Sequence, residues 1–159
     1  MLTEVQRKQV WEGMLGAEIR ANYFADLSGR YARKQRIATW ATLAFSSGAV
    51  TALIATWPNY IRITLAAITA GISAYSVVMQ NQKFAVDSSD LHARWNKIAA
   101  DYLRLWDTSP NDFSLARLDE LIAREQEISK ASISFPNYEK LMLKWENHVL
   151  ASHGLPTFA

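Results

Sequence analysis

At 159 residues, with 20% charged and 50% hydrophobic side chains, the chain has the size of one ordinary domain, and its composition excludes intrinsic disorder. A net charge of +2 is too small to argue for nucleic acid, and the lack of cysteine removes disulfides, thiol catalysis and thiolate metal sites. Mean hydropathy is -0.08, which is not that of a mostly embedded protein and fits a short membrane hairpin with larger water-soluble arms.

Residues 1–36 read as a cytosolic amphipathic helix. Trp11, Leu15, Ile19, Tyr23, Leu27 and Tyr31 fall at i+4 spacing, one apolar stripe uninterrupted by proline. Thr3 with Glu4 is a reasonable start. Gly13 and Gly16 weaken the helix, by about 1 kcal/mol each relative to Ala. Arg30, Arg33, Lys34 and Arg36 then set positive charge against an apolar segment and suit anionic lipid headgroups.

From Ile37 to Gln82, Arg62 is the only charged residue. Each uncharged part is long enough for a bilayer core, which needs roughly 20 helical residues. The sequence therefore predicts transmembrane helix 37–57, an external turn 58–60 at Pro58-Asn59, and transmembrane helix 61–82. Trp40, Trp57 and Tyr60 stand where interfacial aromatics belong. Lys and Arg flank the outer ends of this pair, so the positive-inside rule places both termini in the cytoplasm. The apolar run begins well inside the chain, unlike a cleaved signal peptide.

Past Lys83, Leu91, Trp95, Ile98, Tyr102 and Leu105 are spaced 4-3-4-3, and Trp106 follows. Neither Gly nor Pro occurs between Ser73 and Ser109, so the second span and its continuation over 83–107 are expected as one unbroken helix. Asp107 to Asp112 is turn chemistry. Shorter cytosolic helices are expected at 113–130 and 136–150, with a frayed tail from His153. The fold class expected is thus an all-α membrane protein: a two-helix transmembrane hairpin continuous with long cytosolic helices, and two C-terminal helices completing a cytosolic bundle.

Two stretches carry a resemblance. Ala17–Arg36 reads AEIRANYFADLSGRYARKQR before the first expected span. Trp95–Trp106 reads WNKIAADYLRLW after the second. With the hairpin between them, this layout resembles the SLATT superfamily, the SMODS- and SLOG-associating two-transmembrane effector domains, from Glu12 to Leu150. The resemblance implies an effector of a bacterial anti-phage conflict system. It would oligomerise in the inner membrane and form a pore that depolarises or permeabilises it. Its partner would be a separate sensor: a nucleotide-signal synthase, a SLOG sensor or a reverse transcriptase system.

The residues themselves show no glycine-rich phosphate loop, no G-x-S-x-G and no metal spacing among His92, His148 and His153. No enzyme activity, cofactor or metal is expected, and no direct nucleic-acid contact. Asp87, Asp90 and His92 read as a solvated helix face more readily than as a weak cation site. The hairpin is the better functional candidate. Ala44, Gly48 and Ala52, and then Ala66, Ala70 and Ala74 with Gly71, make small-residue ridges for helix packing. Thr39, Thr42 and Ser46, and then Thr69, Ser73, Ser76 and Gln80, make polar stripes. They are the candidate pore lining of a homo-oligomer, with Arg36 and Lys83 at its mouth. The bland alternative is that the hydroxyls bond back to their own i−4 carbonyls. Trp95, Ile98, Tyr102, Leu105 and Trp106 are expected as bundle core. The alternative function is a membrane-anchored helical scaffold that recruits a cytosolic partner without conducting.

Overall fold

Glu4 to Ser46 form one helix of 43 residues, α1. The computed structural model describes residues 3–46, 55–107 and 115–157, without the side chains of residues 45, 46, 76, 77 and 79. A reciprocal box opens α1. The Gln6 N–H donates to Thr3 Oγ1 at 3.3 Å, and the Thr3 N–H donates to Gln6 Oε1 at 2.9 Å. Gln6 therefore completes the cap that Thr3 begins, in the Thr-x-x-Gln pattern that satisfies exposed donors at a helix start. After it come α2 (Asn59–Met79), α3 (Asn81–Asp107), α4 (Leu115–Ser132) and α5 (Glu139–Ser152). The described residues contain these five helices and no strand.

Pro58 stands at the N-cap of α2 with φ −54, and its carbonyl accepts from Ile61 at 3.1 Å. The last helix ends on a Schellman arrangement at Gly154, whose φ is +69. The Gly154 N–H donates to Ala151 O and the Leu155 N–H to Leu150 O. Only a residue tolerant of the left-handed region makes that reversal without strain. The tail through residue 157 is tied rather than frayed at its start: His153 Nε2 lies 2.9 Å from Glu18 Oε2, and its ring meets Trp11 edge-on.

The chain divides into two compact units, Met1–Asp26 with Ser88–Ala159, and Leu27–Asp87. In the first, α1 and α3 run antiparallel, since Gly13 meets Tyr102, Arg20 meets Trp95, and Ala21 meets His92. Each supplies a seam at 4-3-4-3 spacing: Val10, Met14, Ala17, Ala21 and Phe24 from α1; Leu91, Trp95, Ile98, Tyr102 and Leu105 from α3. All ten are buried. Leu118, Leu121 and Ile128 of α4 and Leu141 and Val149 of α5 complete this core. The i+4 stripe expected on α1 is corrected here. Trp11 and Ile19 are only half-buried, while the small residues Ala17 and Ala21 carry the seam.

In the second unit, Ser28 Oγ donates to Ala85 O at 3.0 Å, and the Tyr31 ring stacks on Phe84 at 5.3 Å. Its buried residues among those described are Leu27, Ala38 and Asn81.

Among the described residues no helix is long and apolar enough to cross a membrane. This overturns the transmembrane hairpin as fold class. The multi-pass inner-membrane placement falls with it, as do the cytoplasmic termini, the external turn and the pore and channel descriptions. The described apolar stretch of α1, Ile37–Ser46, is about 15 Å of helix at 1.5 Å per residue, half of what a bilayer core needs. The remainder of that run, residues 47–54, lies outside the described residues. The sequence of α2, 21 residues, includes Arg62 in the first turn, two tyrosines and four Thr or Ser residues.

A second correction concerns continuity. Gln80 takes φ 44 and ψ 35, the left-handed region, and separates α2 from α3. Lack of Gly and Pro is thus no guarantee of one unbroken helix. The 4-residue ladder resumes at once, with the Phe84 N–H donating to Gln80 O at 3.0 Å.

Candidate functional site

The hairpin residues singled out for function lie on a surface that is mostly uncovered. Ala66, Ala70 and Ala74 are exposed, as is Gly71. So are Ile63, Ile68, Tyr75 and Val78 on α2, and Ile37, Trp40 and Leu43 on α1. One face of α2, marked by Ile61, Leu65, Thr69, Ile72 and Ser73, is half-buried. Ala44 is exposed, while Gly48 and Ala52 fall outside the described residues. The small-residue ridge of α2 therefore faces outward from its own unit.

The polar stripes have a local explanation. Thr42 Oγ1 donates to Ala38 O at 3.0 Å and Thr69 Oγ1 to Leu65 O at 2.9 Å. Thr64, outside the expected stripe, does the same to Tyr60 O. Each hydroxyl is satisfied by the carbonyl four residues back, which is how Thr is accommodated within a helix. Thr39, Gln80, Arg36 and Lys83 are exposed and Ser73 is half-buried; the side chains of Ser46 and Ser76 are outside the description. With no spanning helix among the described residues, there is no transmembrane path for these residues to line.

Trp95, Ile98, Tyr102 and Leu105 are buried in the first unit, and Trp106 is half-buried. Around them the structure builds a polar cluster that the sequence did not advertise. Glu125 of α4 accepts from Tyr102 Oη at 2.8 Å through one oxygen and from Arg20 Nη1 at 2.9 Å through the other. The Arg20 guanidinium lies 4.7 Å from the centre of the Trp95 ring. Burial pushes the Tyr102 hydroxyl well above the ordinary value of 10.0; the hydrogen bond and charge of Glu125 add to this and Arg20 opposes it. The phenol is thus a fixed donor, not a proton-transfer group at neutral pH.

Gly13 makes this cluster sterically feasible. A Cβ there would stand 2.5 Å from Tyr102 Cζ. What composition marks as a weak point of α1 is the notch that admits a tyrosine ring. The one sequence signal was a glycine placed beside an apolar seam with no turn to justify it.

His92 accounts for itself as a structural residue. Its Nδ1 is 2.8 Å from Ala21 O, which can only accept, so Nδ1 carries the proton and Nε2 accepts from Asn96 Nδ2 at 3.1 Å. Asp90 pairs with Arg94 at 2.7 Å. The described residues hold no group of three His, Asp or Glu side chains arranged for a metal.

No protein-family model, curated protein or solved structure matches the chain. The resemblance to the SLATT superfamily rests on the two quoted stretches, since the membrane hairpin expected between them is overturned.

Proposed function

We infer that the chain is a non-enzymatic helical assembly module: its apolar helix α2 associates with second copies, and its four-helix unit presents a surface to a separate partner. The observation that carries this is α2. It is a helix with a single charged residue, Arg62, and its Ile63, Ile68, Tyr75 and Val78 side chains are open to solvent. Contiguous exposed apolar surface of this kind marks a binding face. A second copy is the partner that the face itself favours. It is almost uncharged, so two copies do not repel, and the Ala66, Ala70 and Ala74 ridge lets helix backbones approach closely. This keeps the homo-oligomer and partner-recruiting parts of the sequence expectation, including a separate sensor protein as the recruit, and leaves out conduction.

Light scattering coupled to size-exclusion chromatography tests it on the full chain. The expected result is a species larger than one 18.0 kDa chain. Ile63→Glu with Ile68→Glu should return it to monomer with helix content unchanged, because both side chains are exposed. A monomer at every concentration tested would overturn the assembly.

A further inference from the structure

Between α3 and α4, within the first unit, lies a cleft of about 260 Å³ lined by Asp101, Arg104, Leu105, Arg117, Glu120, Leu121 and Arg124. Its origin is readable in the register. Residues 101, 104 and 105 share one face of α3, and residues 117, 120, 121 and 124 share one face of α4. Leu105 and Leu121 are buried and form the floor, while the charged side chains form the walls. Arginine outnumbers carboxylate there, three to two.

We propose that this cleft binds a small phosphate-bearing ligand, with Arg117 and Arg124 as its contacting residues and Asp101 as the carboxylate that positions Arg124. Asp101 is mostly buried and holds Arg124 Nη1 at 3.2 Å through Oδ2 and Arg104 Nη1 at 3.5 Å through Oδ1. A guanidinium has five N–H donors in a planar fork. The bond from Nη1 uses one of those of Arg124, and the fork is set by a carboxylate on its flank. Arg117 makes no ion pair among the described residues. It also stands in the first turn of α4, a turn with no acidic residue, where the helix dipole disfavours a cation. An arriving anion would offset that local conflict.

The charge balance selects phosphate over carboxylate. A ligand must share Arg124 with Asp101 and tolerate Glu120, and a single carboxylate adds only what Asp101 already supplies. A phosphate brings a charge near −2 and three strong acceptor oxygens, which suit a pair of arginines. The volume selects size: it lies just under the roughly 300 Å³ lower end of drug-sized ligand sites, so it takes a phosphate on a compact body and not a helix or a nucleic-acid strand. This site stands independently of self-assembly through α2.

Calorimetric titration and thermal shift of the full chain with inorganic phosphate and with pyrophosphate test it, with chloride holding ionic strength constant. Saturable binding of one anion per chain is expected, with a rise in melting temperature. Arg117→Gln loses charge-assisted hydrogen bonds to the anion and should weaken binding at least about tenfold. Arg124→Lys, which keeps the charge but loses the fork, should also weaken it. Arg33→Gln with Lys34→Gln, exposed cations in the other unit, should bind as the parent does. Arg117 is exposed, so its variant folds, which the melt without anion checks. The proposal is overturned if neither anion binds saturably, or if the Arg33 and Lys34 variant loses as much affinity as the Arg117 variant.

Discussion

The two units use the same element, the helix, to opposite effect. In Met1–Asp26 with Ser88–Ala159, apolar residues are confined to seams, and the seams are buried; Trp95 is 0% exposed. In Leu27–Asp87 the helices are more apolar, yet Val78 is 76% exposed. A stripe tells a helix which side is inside, because polar residues forbid the other side. In α2 that instruction is weak: Ile61, Leu65 and Ile72 mark one half-buried face, yet Ile63, Ile68 and Val78 leave the rest of the helix apolar and exposed. Hydrophobicity without a polar outer face does not specify a core.

The strongest way to break this comparison is to truncate one large side chain in each unit. Trp95→Ala should destabilise by about 3–5 kcal/mol, the range for large aromatic deletions in a core. Ile68→Ala, measured where the chain is monomeric, should stay within about 0.5 kcal/mol. Chemical denaturation of both variants measures it; equal losses would mean that the units are packed alike. A smaller effect is expected at Gly13→Ala. Helix propensity gains about 1 kcal/mol. Displacing a tyrosine ring held by Glu125 costs about 1–3 kcal/mol as overpacking. The balance should be a net loss, read from the same denaturation curves, whereas Gly71→Ala on the exposed face of α2, where an added Cβ meets nothing beyond its own helix backbone within 4 Å, should gain stability.

The smallest expected effect sharpens the comparison through pH. Tyr102 holds its proton more tightly folded than unfolded. Its contribution is therefore complete below the ordinary tyrosine value of 10.0 and is lost as pH rises above it. Melting temperature followed from pH 8 to 11 should fall more steeply for the parent than for Tyr102→Phe. Parallel curves would show that the hydroxyl is not held buried and protonated beside Glu125.

The 4-3-4-3 seam on α3 was legible because Leu91, Trp95, Ile98, Tyr102 and Leu105 are large and their period is unambiguous. Its counterpart on α1 was misread, since Ala17 and Ala21 are small and do not stand out against Trp11 and Ile19. Helical character was legible at Ile37–Ser46 and over α2; among the described residues no helix is long and apolar enough to span a membrane, because uncharged composition does not by itself measure how far apolar helix continues. The break at Gln80 left no trace, as it comes from one backbone rotation in a residue without a turn preference. Nor could spacing reveal the clusters around Glu125 and Asp101. The pairs Tyr102–Glu125, Arg20–Glu125 and Asp101–Arg124 lie 23 or more residues apart and meet only when helices pack.

Tyr23 has a consequence of another kind. Its hydroxyl donates to Pro136 O at 2.7 Å and accepts from the Tyr138 N–H at 3.2 Å, and Phe135 rests edge-on against Phe24. A connector between two helices is ordinarily where a protease cuts, because cleavage needs several residues of extended chain drawn into an active site. Here that excursion would cost both hydrogen bonds and the ring contact together. The joint between α4 and α5 is latched by the Tyr23 hydroxyl and the Phe24–Phe135 contact, and susceptibility to nicking follows whether that latch is closed.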